Sequence, residues 1–183
     1  MTDGYCELCL DVKEDCHYNP APGFIKIPEM FIQHFTHLSF FQGFTHQQIT
    51  ELYPILEQVH REKGEVIFQQ GQCTDYLYIL EDGEVVIQYK PYDGPPLVVA
   101  RIGPGGIFGW SAALGREAYT SGALVTESAE AVCIRKAALH QFCIQHPETG
   151  KILLDRLAGV IAERITSTHD EVLSILTNSI DKK

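Results

Sequence analysis

Between Arg61 and Lys136 the chain consists of short β-branched and aromatic runs on a two-residue period, separated by turns that carry glycine. The runs are "GEVIFQQGQ", "DYLYILEDGEVVIQYK", "PLVVARIGPGGIFG" and "ALVTESAEAVCIRK". A period of two places alternate side chains on opposite faces of a strand. Strands closed by turns about every 8 to 12 residues are the pattern of a small antiparallel barrel or roll.

The flanks follow a different period. Helical spacing runs through "IPEMFIQHFTHLSFF" and then "THQQITELYPILEQV", within residues 27–60. Thr45 and Gln48 stand three apart, the spacing of a capping box, and Pro54 bends or ends the helix they begin. After Lys136 the helical period returns. No proline intervenes from Glu148 to Ile180, which predicts one long helix. The expected fold is therefore α+β and mainly β: a jelly-roll-like antiparallel β-roll with N-terminal helices and a long C-terminal dimerisation helix. Three parts are expected. Residues 1–23 form a cysteine-containing arm ending in "NPAPG", residues 24–147 the helix and roll, and residues 148–183 the long helix.

Composition narrows the function. The 183 residues, 45% of them hydrophobic, suffice for one compact domain with attachments. A net charge of −10 with no clustered Lys and Arg argues against a surface that tracks nucleic-acid phosphates. The first residues, "MTDGYCELCLDVKEDC", lack a basic stretch followed by an apolar run, and nowhere are 18 apolar residues consecutive. A cytoplasmic protein with no membrane association is expected. Its six cysteines then read as thiols, core residues or metal ligands rather than a disulfide framework.

The order helix, roll, short helix, long helix resembles the cyclic nucleotide-binding domain of the Crp/Fnr regulators. The resemblance covers about residues 40 to 180. It rests on "KGEVIFQQGQCTDYLYILEDGEVVIQYK", with Gly64, Gly71 and Gly83, and on "IGPGGIFGWSA", with Gly103, Gly105 and Gly109. In the family a glutamate after Phe-Gly holds the ribose hydroxyl, and an arginine before a pair of small residues holds the ring phosphate. Here those positions read Trp110 and Ser121, in a loop about two residues longer. Trp110 is expected to fill the vacated pocket or to cap the roll. Arg116 lies within the loop as a replacement cation, with Glu117 beside it as a competing partner, and Ser111, Thr120 and Ser121 with the loop amides can hold a small anion. Sensing of cyclic AMP is therefore doubtful.

Along the long helix, Leu154, Leu157, Ile161, Ile165, Thr168, Val172 and Ile175 recur at three- and four-residue steps, a stripe suited to a twin helix and hence to a homodimer. The resemblance implies that Thr168, with His169 beside it, reaches toward a bound base. The sequence ends at "NSIDKK" without a helix-turn-helix, so direct DNA binding is not expected, and a signal would pass to an unknown protein partner.

Cys6, Cys9 and Cys16 form C-x2-C-x6-C, a soft-ligand cluster with one ligand missing. In "AEAVCIRK" the strand period turns Val132 and Ile134 to the core and Cys133 to the opposite face, where the N-terminal arm can lie. The oxygen-sensing Fnr branch is similar: three N-terminal cysteines and one on this late strand hold a [4Fe-4S] cluster. Zinc with Cys16 and His17 among its ligands, or plain thiols on the arm, are the other readings. Cys143 reads as a small core residue and Cys73 as a turn thiol, while His34 and His37 read as solvent-facing polar residues. No nucleophile with a base and an orienting group is recognisable, so an enzyme is not expected. Two functions remain. One is a stand-alone Crp/Fnr-type regulatory domain that senses redox state, a gas or a small anion. The other is a dimeric interaction protein whose nucleotide pocket is closed.

Overall fold

The computed structural model describes residues 24–26 and 38–180, the side chains of 24, 26 and 165–180 excepted. Seven strands among these residues make one antiparallel sheet: β1 (Phe24–Lys26), β2 (Leu56–Arg61), β3 (Val66–Phe68), β4 (Tyr76–Tyr89), β5 (Leu97–Ile102), β6 (Ile107–Phe108) and β7 (Gly122–Arg135). The order is β1-β2-β7-β4-β5, with β3 on β7 and β6 on β4. The helices are α1 (His46–Leu52), α2 (Lys136–Gln145) and α3 (Pro147–Ile180), with single 3-10 turns at Ser39–Phe41 and Tyr53–Ile55. This is the expected α+β, mainly β roll.

Two 14-residue strands, β4 and β7, form its spine. Their pairing shifts register between Leu80 and Val85. At this bend Gly83 has φ +87°, and a Cβ there would fall on the Ser128 carbonyl, so no other residue fits. The alternation along β7 then divides the core. Val132 and Ile134 join Leu77 and Ile79 of β4 in a cluster that packs on Leu139, Phe142, Leu153 and Leu157 of the helices. Ala129, Ala131 and Cys133 face the other way, into the interior of the roll with Tyr78, Leu80, Val85 and Phe108.

The helix starts follow the local chemistry. Thr45 Oγ1 accepts from the Gln48 N–H, and Gln48 Oε1 accepts from the Thr45 N–H, so the expected capping box is present. The helix is shorter than its spacing suggested. Pro54 closes it in a 3-10 turn, and residues 56–61 are a strand, six residues of which pair with β7. Leu56 and Val59 are both buried but in different clusters, one on each face of β2. A three-residue spacing fits a helix stripe and a strand buried on both sides equally well, and tertiary pairing decided between them. Of the other expected N-terminal helix, residues 27–37 lie outside the described residues.

The long helix appears as α3, and α2 precedes it. A stripe on α3 does exist, but its first half serves this chain's own core. Leu153 and Leu157 are buried, and Val160 and Ile161 pack against the same cluster. Leu157 is thus used by this chain's own core, and Ile161 is partly buried against it. The side chains of Ile165, Thr168, Val172 and Ile175 lie outside the described residues. The start of α3 is clamped to α1, with Thr149 Oγ1 donating to Glu51 Oε2 at 2.7 Å and His146 Nδ1 at 3.5 Å from the same oxygen.

Candidate functional site

Strand β6 delivers the chain to Gly109, at φ +73°. A Cβ here would lie 2.8 Å from the Tyr76 carbonyl oxygen and 3.0 Å from the Tyr78 ring, which reserves the position for glycine. The next residues wind into a single turn. Ala112 N–H donates to Gly109 C=O (3.1 Å), Leu114 N–H to Trp110 C=O (3.0 Å) and Arg116 N–H to Ser111 C=O (3.0 Å). The exit of the turn is fixed from outside: the Lys136 ammonium donates to the Arg116 carbonyl at 2.7 Å, and the Thr74 hydroxyl donates to the same oxygen.

Beneath the turn the roll interior is aromatic. Phe68 stacks on Tyr119 with centroids 3.8 Å apart, and Tyr78 on Phe108 at 4.9 Å. Tyr119 is buried yet fully engaged: its hydroxyl donates to the Tyr76 carbonyl (2.8 Å) and accepts from the Tyr76 N–H (2.9 Å). Burial holds the Tyr119 and Tyr78 phenols above the ordinary tyrosine range, so this floor carries no charge.

The cavity left between turn and floor measures about 30 Å³. Phe68, Phe108, Trp110, Ser111, Ser121 and Arg164 are among the residues around it. Trp110 is half-buried, and the Arg164 guanidinium of α3 lies over its ring, 4.7 Å from the centroid. Trp110 lines the small cavity and packs against the helical cluster. Gly109, Trp110, Ser111 and Ser121 come together around this cavity. Arg116 and Thr120 do not line the cavity, and both are exposed. Arg116 acts here through its backbone carbonyl, so the expected rescue by its side chain has no support in this geometry. The side chain of Thr168 lies outside the described residues.

The cation that does reach the site is Arg164, which the sequence reading missed. Burial lowers its pKa from the ordinary arginine value. An available signal was the helical step from Arg156, which lies over the Phe44 ring at 4.6 Å and donates to the Phe40 carbonyl at 2.8 Å. Two arginines eight residues apart on one helix, about 12 Å along its axis, each cover an aromatic ring.

The expected metal ligand on β7 needs correction. Cys133 does lie on the face opposite Val132 and Ile134, but that face is the roll interior and the residue is 0% exposed. Its thiol donates to the Glu57 carbonyl (3.2 Å), and burial pushes its pKa far above the usual thiol range. A neutral, enclosed, hydrogen-bonded thiol does not fit the fourth position of an iron–sulfur or zinc site, which takes the thiolate. Cys6, Cys9, Cys16, His17, His34 and His37 lie outside the described residues. Among the described residues no three His, Cys, Asp or Glu are grouped to hold a metal ion. Cys143 is half-buried against the helical core, and Cys73 is exposed. No helix among the described residues is long and apolar enough to cross a membrane.

The sequence and the fold have counterparts among known proteins. The family model for the cyclic nucleotide-binding domain matches residues 58–146. The chain is 26% identical over 140 residues to the CRP-like cAMP-activated global transcriptional regulator of Mycobacterium tuberculosis, a match covering 76% of this chain. It spans 61% of the length of that curated relative. Among solved structures, a putative cyclic nucleotide-binding protein from Geobacter metallireducens superposes with a TM-score of 0.64 at 27% identity, covering 73% of this chain and 96% of that one. A cyclic nucleotide-binding domain from Methylobacillus flagellatus has the same fold, with a TM-score of 0.74 at 18% identity over 84% and 89% of the two chains. Residues 58–146 thus form a cyclic nucleotide-binding domain, similar to that of the Crp-type regulators.

Proposed function

We propose that this chain is a regulatory module whose nucleotide position is filled by its own side chains, so that the roll is coupled to α3 without a cyclic nucleotide. One observation carries this reading: a cavity of about 30 Å³ stands where a ligand site of roughly 300–1,000 Å³ is needed. Trp110 and Arg164 supply the contact between turn and helix that a bound ligand would otherwise bridge. A helix held in this way passes its position to whatever binds its far half, a second copy of this chain or another protein.

The test restores the missing anchors. Wild-type protein is expected to show no cyclic AMP binding by calorimetry in the micromolar range. The double variant Trp110→Glu, Ser121→Arg is expected to bind at least about 100-fold more tightly than wild type, because two charge-assisted hydrogen bonds are each worth roughly 1.5–3 kcal/mol. Micromolar binding by wild type, lost on Arg164→Ala or Arg116→Ala, would overturn the reading.

A metal held by Cys6, Cys9 and Cys16 is a separate proposal, supported by the spacing of those thiols. With Cys133 enclosed, its fourth ligand must come from elsewhere. Cys133→Ser is accordingly expected to retain whatever iron or zinc the anaerobically prepared wild type contains, while Cys9→Ser loses it. Metal and sulfide analysis of both variants decides this.

A further inference from the structure

On the other side of the turn that begins at Trp110 lies a groove of about 490 Å³, within the usual range for small-molecule sites. Its walls come from the Trp110 turn, α2, α3, the end of β7 and the segment of Thr74 and Asp75. Ala112 and Ala113 belong to the turn, Ala137 and Cys143 to α2, and Leu154 to α3. Alanines at three of these places leave the room, and Leu154 remains 41% exposed above it. His140 adds a polar group from α2, and Thr74, Asp75, Arg135 and Lys136 mark one end. The Lys136 ammonium sits there, with two of its three donors on the Arg116 carbonyl (2.7 Å) and the Thr74 hydroxyl (3.2 Å). Arg135 lies beside it with its Nε 3.7 Å from Asp75 Oδ1. Two cations against one carboxylate leave this end positive on a chain of net charge −10. An apolar trough with a positive end is complementary to a molecule with an apolar tail and one negative head.

We propose that this groove is a ligand site for a small amphipathic carboxylate. Its head would meet the remaining Lys136 donor, and its tail of about eight to twelve carbons would lie along Ala112, Ala113, Ala137 and Leu154. The inference goes beyond the filled-pocket reading and does not depend on it. It has a consequence for signalling. The groove wall and the Trp110 indole are parts of one hydrogen-bonded turn, so a tail that braces Ala112 and Ala113 also braces the contact between Trp110 and Arg164. The site would give the module a ligand other than a nucleotide while using the same route to α3.

Trp110 is the single tryptophan of the chain, and its fluorescence therefore reports on this turn alone. Decanoate titrated into the full-length protein is expected to bind saturably, followed by Trp110 emission and by calorimetry. Each methylene added between hexanoate and decanoate should tighten binding about two- to fourfold. Decanol should bind at least about 10-fold more weakly than decanoate, as should decanoate to Lys136→Gln. Because Lys136 also holds the turn, two further variants leave its hydrogen bonds in place. Ala137→Phe fills the trough, and Leu154→Glu sets a like charge beside the tail; both should abolish binding with little change in melting temperature. Absence of saturable decanoate binding overturns the proposal, as does equal affinity for decanol or binding that survives both Ala137→Phe and Leu154→Glu. A wild-type dimer that Leu154→Glu converts to monomer, with no decanoate bound by either, would assign the groove to a second copy instead.

Discussion

The two cavities flanking the Trp110 turn differ by more than tenfold in volume, about 30 Å³ on the roll side and about 490 Å³ on the side of α2 and Thr74. The same backbone walls both. Gly109, Trp110 and Ser111 line the first, whereas Ala112, Ala113 and Gly115 line the second. The difference is one of side-chain size. An indole with an arginine of α3 over its ring stands beside the first space, and methyl groups line part of the second. Whether a cavity survives at a given place in a fold depends on the few side chains that project into it.

Removing the indole breaks this contrast most directly. Trp110→Ala should enlarge the roll-side cavity and lower stability by about 2–3 kcal/mol in urea unfolding, somewhat less than for a fully buried tryptophan because Trp110 is only half-buried. The variant should still bind cyclic AMP no better than wild type, since among the described residues no carboxylate lines the space to hold a ribose hydroxyl. Binding restored by the space alone would mean that volume, and not the anchors, is what the site lacks.

Arg164→Ala removes only the lid. The expected loss is about 1 kcal/mol, the size of a partly desolvated cation–π contact, together with a red shift of Trp110 emission as water reaches the ring. Arg164→Lys should recover part of both effects. An unchanged emission spectrum would show that α3 does not shield the indole in solution.

The smallest effect concerns the clamp that sets how α3 lies over both cavities. Hydrogen bonding from Thr149, then from Gln47, with the His146 charge adding, holds Glu51 below its ordinary pKa. A depressed carboxylate contributes stability that is complete above the unfolded-state value and is lost as pH falls through the folded-state value. Melting temperatures of wild type should therefore fall on acidification below about pH 4.5, and Thr149→Val should flatten that part of the curve. Parallel curves for the two proteins would remove Glu51 from the clamp.

Much of the architecture could be read directly from the order of the residues. The four period-two runs became β3 to β7, the capping box at Thr45 and Gln48 formed, and the proline-free stretch became α3. These features depend on neighbours within a few positions: alternation, a cap three residues away, a glycine where φ must be positive. Gly64, Gly71, Gly83, Gly105 and Gly109 all take positive φ, while Gly103 does not. The absence of the two charged anchors was equally local, a matter of what stands after Phe108-Gly109 and before Gly122.

Only the tertiary structure decided what lies opposite each strand and helix face. Residues 56–61 are a strand because β7 offers them a partner, and nothing within those six residues distinguishes that outcome from a helix. Cys133 obeys the alternation read from its neighbours, but the sheet rolls over that face, so the thiol is enclosed and meets the Glu57 carbonyl. Leu157 and Ile161 keep their stripe and spend it on the chain's own core. Arg164 reaches Trp110 only because two helices fold back across the roll. A period fixes the direction in which a side chain points, whereas burial depends on contacts between residues distant in sequence, and those exist only after the sheet has closed.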